Sequence, residues 1–165
     1  MQLRRLAAGT TGLTFILLLV GVYTKEVGAD LTCGMNWPLC DGAVFGLFPA
    51  NLPSFIEWFH RLLALIVGLL IIYTVYRLYR ERGADSRITR AAVLALVLLP
   101  IQALLGAATV LKSRLFAGGT HVLVEGFISV AHFGTGVGLF TALVAATLWA
   151  YEEAEGPPRA PSGSD

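Results

Sequence analysis

The residues of this chain best suited to chemistry begin with Glu57, His60 and Arg61, at the head of the apolar segment EWFHRLLALIVG. Glu57 precedes His60 by three residues, so the two side chains share one face of a helix. A carboxylate beside an imidazole could exchange a proton near a bound group, and the planar guanidinium of Arg61 could bind a carboxylate of a ligand. The alternative is an ion pair between Glu57 and Arg61, which would contribute only about 0.2–0.5 kcal/mol.

The chain has three histidines, of which His60 and His132 each lie inside a long apolar stretch. If both stretches descend into a membrane from the same side, both imidazoles lie about 6–15 Å below its surface. Ionisable residues at such a depth usually face a cavity or a ligand. Two imidazoles at matched depth suit a haem held between facing helices. The alternative for each is a hydrogen-bonded polar residue within the bundle. His121, beside the preceding loop, is expected to be structural or interfacial.

Other polar and small residues accompany these histidines. Gly136 follows His132 by four residues and leaves room for a flat guest, although small residues also let membrane helices pack closely. Gln102 lies on the third apolar stretch, where it could hydrogen-bond across helices or contact a ligand, and Pro100 is expected to kink that helix. Glu125, seven residues before His132, lies on the same helix face and could add a second carboxylate to the site. The alternative is that this carboxylate is solvated.

Four long apolar stretches must position all of these residues. A membrane-spanning helix needs about 20 predominantly apolar residues. Spans are expected at 6–24, 55–77, 91–111 and 123–150. Hydrophobic residues make up 56% of the chain and charged residues 14%, a composition that departs from soluble domains toward membrane proteins. The predicted fold class is an all-α membrane protein, a four-helix transmembrane bundle running up-down-up-down.

The first stretch has a second interpretation. Arg4 and Arg5 precede it and the sequence VGA ends at Ala29, a pattern that also resembles a cleavable secretory signal. Three further spans favour a first transmembrane helix instead. The net charge of +1 gives no indication of a nucleic-acid partner.

Basic residues predict the orientation. Arginines cluster before the first span and between the second and third spans, and such segments face the cytoplasm. The arginines concerned are Arg4, Arg5, Arg77, Arg80, Arg82, Arg87 and Arg90. The protein is therefore expected in the cell membrane with both termini cytoplasmic and the 25–54 loop outside. One haem-binding domain is predicted at 1–151, and the Pro-, Gly-, Ser- and Glu-rich tail 152–165 is expected to be disordered.

Both cysteines, Cys33 and Cys40, lie in the outward loop, in the sequence CGMNWPLC. Disulfides form and persist outside the cytoplasm, so a disulfide between them is predicted. Zinc would need two further ligands, and the loop contains no histidine. A redox-active dithiol is a third alternative that the sequence does not separate from a structural bridge.

These motifs resemble haem A synthase, in the half-length form found in some archaea. The resemblance rests on GADLTCGMNWPLCDG in the outward loop, EWFHRLLALIVG in the second helix, QALLGAATVL in the third and ISVAHFGTGVGLF in the fourth. The Cys loop together with the Glu-x-x-His-Arg start is the specific part. In length the chain departs from the common family member, which has two fused four-helix halves and two histidine pairs. The segment KSRLFAGGTHVLVEG is also longer than usual, which leaves His121 as an alternative to His132.

The resemblance implies an integral membrane oxidase that converts the C8 methyl group of haem O to the formyl group of haem A for terminal oxidases. It implies haem b, haem O or both, with iron, held by His60 and His132. Glu57 would be the catalytic acid or base, Arg61 would contact the haem, and Cys33 would pair with Cys40. A single half with one evident haem site implies a homo-oligomer in the lipid, with haem O synthase and an electron donor as further partners.

Two other functions compete with this one. The first is a haem-binding electron-transfer protein of cytochrome b type that does no chemistry on the porphyrin. The second is a non-enzymatic assembly subunit in which the histidines and Glu57 only pack. A visible absorption spectrum separates the second from haem binding, and incubation with haem O separates the oxidase from the electron carrier.

Overall fold

The structure is a computed structural model, and it describes residues 2–34, 40, 49, 51–115 and 122–156, without the side chains of 112–115. Its elements are α1 (Gln2–Glu26), α2 (Leu52–Arg82), α3 (Arg87–Leu115) and α4 (Val122–Glu155). All four helices are long and apolar enough to cross a membrane. The predicted all-α, four-helix bundle is confirmed.

Each helix extends beyond its predicted span at both ends, by between one and five residues. Pro100 lies within α3, which continues through it as a helix. The helix α4 runs through Glu155, so it includes the first residues of the segment 152–165. Residues 157–165 of the predicted tail lie outside the described part of the chain.

Local sequence signals fix where α1 ends and where α2 begins and ends. After α1 the chain reverses at Gly28, which adopts φ 68°, and the Ala29 amide donates to the Thr24 carbonyl at 2.9 Å. That pattern closes a helix with a left-handed residue, for which glycine carries no steric cost. The Asn51 side chain caps α2 by accepting from the Ser54 amide at 2.9 Å. Gly83, with φ 76°, ends α2 and starts the short link to α3.

The helices form a closed ring in which each packs against the next along the chain and α1 also packs against α4. Consequently α2 and α4 stand opposite each other. Threonine hydroxyls join neighbouring helices near the centre: Thr10 bonds Thr74 at 2.8 Å and Thr11 bonds Thr147 at 2.9 Å. Interhelical hydrogen bonds of this kind hold helices together where lipid provides no hydrophobic driving force.

Among the described residues, the main hydrophobic cluster lies toward one end of the bundle. We call the half that contains the start of α1, the end of α4 and the 83–86 link the terminal half, and the other the loop half. The hydrophobic core lies in the terminal half, and comprises Leu3, Val67, Ile71, Val75, Leu78, Ile88, Ala92, Ala95, Leu139, Ala142, Leu143, Ala146 and Ala150. Large apolar side chains also cover the outer surface of the helices, among them Leu19, Leu65, Leu104 and Phe127, as expected of faces that contact lipid.

Candidate functional site

His60 is positioned by α2, and its ring fits against a glycine of α1. A Cβ atom placed on Gly21 would lie 3.0 Å from Cε1 of His60. Only a residue without a side chain leaves space for the imidazole at this distance. Gly21 therefore lets the ring of His60 lie between α1 and α2.

His132 is held in the same manner on the opposite side of the bundle. A Cβ atom placed on Gly106 of α3 would lie 3.1 Å from Cε1 of His132. The ring also interacts with the main-chain carbonyl of Gln102, one turn before Gly106. The imidazole thus lies between α3 and α4, in a groove that the glycine opens.

His60 and His132 both lie in the loop half, on helices that stand opposite each other in the ring. Among the described side chains, three buried polar atoms have no hydrogen-bond partner: Nδ1 of His60, Nδ1 of His132 and Oε1 of Gln102. All three are in the loop half. A buried polar atom without a partner costs about 1–3 kcal/mol, so their concentration at one place indicates a site shaped for a ligand.

The residues of this site fit a haem. A porphyrin supplies four nitrogen ligands itself, and the protein needs to provide only axial ligands, for which histidine is common. His60 and His132 each offer a buried, unpaired ring nitrogen. No group of three or more His, Cys, Asp or Glu side chains that could hold a bare metal ion occurs in the described part of the chain. Two imidazoles in an apolar bundle are a sufficient set of protein ligands for a haem.

Gly21 and Gly106 provide a direct test of where the two imidazole rings lie. Replacing Gly21 or Gly106 with Ala places a methyl group 3.0–3.1 Å from an imidazole carbon, so the ring must move by a few tenths of an ångström. We expect haem affinity to fall several-fold, as measured by absorbance titration. Gly12→Ala is the matched control on α1, because nothing lies within 4 Å of a Cβ at that position. Equal affinity in all three variants would contradict the placement of the rings.

Glu57 is buried, with 3% of its surface exposed, and its carboxylate connects α2 to the loop after α1. One oxygen pairs with Arg61. The other accepts from the Cys33 amide at 2.7 Å and the Thr32 hydroxyl at 3.3 Å. The ion pair between Glu57 and Arg61 that the sequence offered as an alternative is present, and the contacts to the loop were not anticipated. Through them the start of α2 is fixed to the segment that contains Cys33.

A disulfide closes the same segment. It joins Cys33 to Cys40 with the two Cα atoms 4.4 Å apart. Both sulfur atoms pack against the main-chain carbonyl of Ser54, at 3.5 and 3.9 Å, and the Ser54 hydroxyl donates to the Thr32 carbonyl at 3.2 Å. The disulfide, Glu57 and Ser54 thus form one buried cluster above the histidines.

Removing the disulfide should loosen this cluster. The sequence separation of 7 residues defines a short loop, for which chain entropy predicts a loss of about 2–3 kcal/mol. Cys33→Ser/Cys40→Ser is therefore expected to lower the free energy of unfolding in detergent by that amount. A reducing agent should have the same effect on the parent protein and none on the double variant. A parent protein insensitive to reduction would contradict the prediction.

The sequence pointed to two further residues, His121 and Glu125. His121 lies outside the described residues. Glu125 is in the first turn of α4. The sequence interpretation missed Gly21 and Gly106, the two glycines that receive the rings. A glycine inside a helix lowers the stability of that helix by about 1 kcal/mol relative to alanine. A glycine at the same depth as a histidine on a neighbouring helix was therefore the sequence signal that could have identified these two residues.

Comparison with known proteins shows the family of the chain. Residues 4–164 match the sequence model of the COX15-CtaA family, described as cytochrome oxidase assembly protein. The chain belongs to this family. It is 32% identical to a protein named heme A synthase from Bacillus licheniformis over 91% of this chain and 46% of that protein. A heme A synthase from Bacillus pumilus is 30% identical over 91% of this chain and 45% of its own length.

A third relative has a different name. The chain is 34% identical to a protoheme IX farnesyltransferase from Halobacterium salinarum, over 92% of this chain and 30% of that protein. The chain thus spans less than half the length of each of these three relatives. No solved structure matches it. With four apolar helices and this family, the chain is a multi-pass membrane protein.

Proposed function

We propose that the protein is a haem A synthase, a membrane oxidase that converts the C8 methyl group of haem O to a formyl group by successive hydroxylations. The observation that carries the proposal is the pair of half-buried imidazoles, each with a buried Nδ1 atom that has no partner among the described residues and each fitted to a glycine of the neighbouring helix. The name heme A synthase, which the Bacillus relatives carry, supports the proposal.

In this proposal His60 and His132 hold the haem, and the apolar helices around them exclude water. The haem iron, when bound, supplies the redox chemistry that protein side chains lack. The imidazoles come from opposite helices, so both sides of the bundle contribute to orienting the macrocycle. Fixed orientation is what allows one methyl group, rather than several, to be oxidised.

For Glu57 we propose a positioning role, which differs from the proton transfer predicted from its sequence context. The carboxylate already accepts hydrogen bonds from the Cys33 amide and the Thr32 hydroxyl and pairs with Arg61. With these partners it holds the start of α2, and therefore His60 one turn later, against the disulfide loop. Arg61, which neutralises the carboxylate, shares that role and is also proposed to contact a haem propionate.

The partners and the topology follow from the same proposal. The arginine-rich terminal half is proposed to face the cytoplasm, with the disulfide loop outside. Because the described helices carry one evident histidine pair, His60 and His132, a second copy is proposed to complete the enzyme. The Halobacterium relative joins a segment similar to this chain to a longer remainder under the name farnesyltransferase. A haem O synthase that delivers the substrate directly is therefore the proposed partner, along with an electron donor.

The decisive experiment begins with the purified protein in lipid nanodiscs. Its visible spectrum should show a haem Soret band, and incubation with haem O, oxygen and an electron donor should yield haem A on pigment extraction. A His60→Leu/His132→Leu variant is the control and should yield none. A haem spectrum without conversion of haem O would favour the cytochrome b type of carrier. The absence of any haem band would favour the assembly subunit.

A further inference from the structure

Gln102 lies at the bottom of the histidine site, where three helices meet. A Cβ atom placed on Gly136 of α4 would lie 2.9 Å from Nε2 of Gln102 and 3.0 Å from Cδ2 of Leu18, which is on α1. Gly136 is one turn below His132, and Leu18 is one turn from Gly21. The amide of Gln102 is thus directed into the interior beneath the rings.

The side-chain carbonyl of Gln102 lacks a hydrogen-bond partner in the described part of the chain. Its Oε1 atom is buried and has no hydrogen-bond donor among the described residues. The nearest threonines on α3 and α4 do not donate to this atom. Thr109 donates to the Gly106 carbonyl at 2.7 Å, and Thr135 donates to the Ala131 carbonyl at 2.7 Å. An unpaired carbonyl in an apolar interior is costly, so a donor is expected from a bound molecule.

We infer that Oε1 of Gln102 accepts a hydrogen bond from a hydroxyl group at the edge of the bound porphyrin, and so selects a hydroxyl-bearing haem over one without it. The inference rests on the proposed function and makes it more specific. Haem O carries a hydroxyl group on the side-chain carbon attached to the porphyrin ring, next to the carbon that bears the farnesyl group, where protohaem has an apolar vinyl group. Haem O can therefore satisfy Gln102, whereas protohaem leaves the carbonyl unpaired.

Selection of this kind follows from the cost of an unpaired acceptor. A site built to hydrogen-bond a hydroxyl group rejects the analogue that lacks it, because the buried polar group of the site is then left without a partner. A hydrogen bond that contributes about 1.4 kcal/mol corresponds to a tenfold preference. Gln102 thus acts on specificity, while His60 and His132 act on haem binding in general.

The test measures the affinity of the protein for haem O and for protohaem by absorbance titration in nanodiscs. The parent protein should bind haem O about tenfold more tightly. Gln102→Met, which keeps the length of the side chain and removes its polar atoms, should reduce this preference about tenfold, chiefly by weakening haem O binding. The Soret band should be unchanged, because both histidines remain. Gln102→Leu is a second variant with the same expectation.

Thr109→Val is the matched control, since the hydroxyl of Thr109 is already bonded within α3, and it should retain the preference. An unchanged preference in Gln102→Met and Gln102→Leu would overturn the inference and leave the proposed function intact. Equal loss of both haems would overturn it as well, because Gln102 would then have a structural role. A parent protein that binds neither haem would contradict the proposed function itself.

Discussion

Replacing His60 and His132 together with leucine is expected to abolish haem binding while the helical bundle stays folded. Without haem, each ring keeps a buried nitrogen that has no partner among the described residues, and each such atom costs about 1–3 kcal/mol. Leucine removes that cost and adds apolar contacts. The haem-free double variant should therefore be at least as stable as the haem-free parent protein, by thermal unfolding in detergent followed by circular dichroism.

Haem content is the second measurement on the same samples, and it should fall from about one per site to none. Leu143→Ala is a suitable control, since it removes a core side chain of the terminal half that is 2% exposed. That variant should lose about 2–5 kcal/mol of stability and still bind haem. Marked destabilisation of the haem-free histidine variant would show that the rings are structural and would refute the site.

Glu57→Ala is expected to have the largest effect on stability of any single exchange in the loop half. It removes the acceptor that the buried Cys33 amide and the Arg61 guanidinium now share. Removing one member of a buried ion pair costs about 3–5 kcal/mol. The free energy of unfolding in detergent should fall by that amount. Glu57→Gln, which keeps the acceptor oxygen, should lose less.

The chain provides a matched control for this prediction. Glu81 and Arg77 form another ion pair four residues apart, also on α2, with side chains 45% and 33% exposed. Exposed pairs contribute about 0–1 kcal/mol, so Glu81→Ala should be nearly neutral. If Glu57→Ala were equally neutral, the carboxylate would not be holding the loop. If Glu57→Gln were fully stable but inactive with haem O, a proton-transfer role would replace the positioning role.

The helices were predictable because membrane spans are encoded by composition alone, and the four apolar stretches leave few alternatives. The shared depth of His60 and His132 was likewise accessible, since it follows from counting residues along two helices. Which helix each ring contacts was not, because that depends on how α1 to α4 rotate about their axes. Gly21 and Gly106 became meaningful only when those rotations were known.

The same limit applies to Glu57. Its spacing from Arg61 is local and predicts an ion pair, whereas its contacts with Thr32 and Cys33 depend on the path of the loop after Gly28. That path is set by the left-handed glycine and the buried Ala29, and no periodicity in the sequence encodes it. The role of a carboxylate in a short motif is therefore less certain from sequence than its location.

The location of the apolar core in the terminal half has a consequence for biogenesis. Helices inserted into the membrane can pack against each other through Val67, Ile71, Leu139 and Leu143 before haem binds. The bundle can therefore fold first. In the proposed function, haem binding is then the last step of maturation, and it takes place at the end of the molecule that contains the disulfide. In a cell short of porphyrin, the newly made protein would persist as a folded receptor that awaits its cargo.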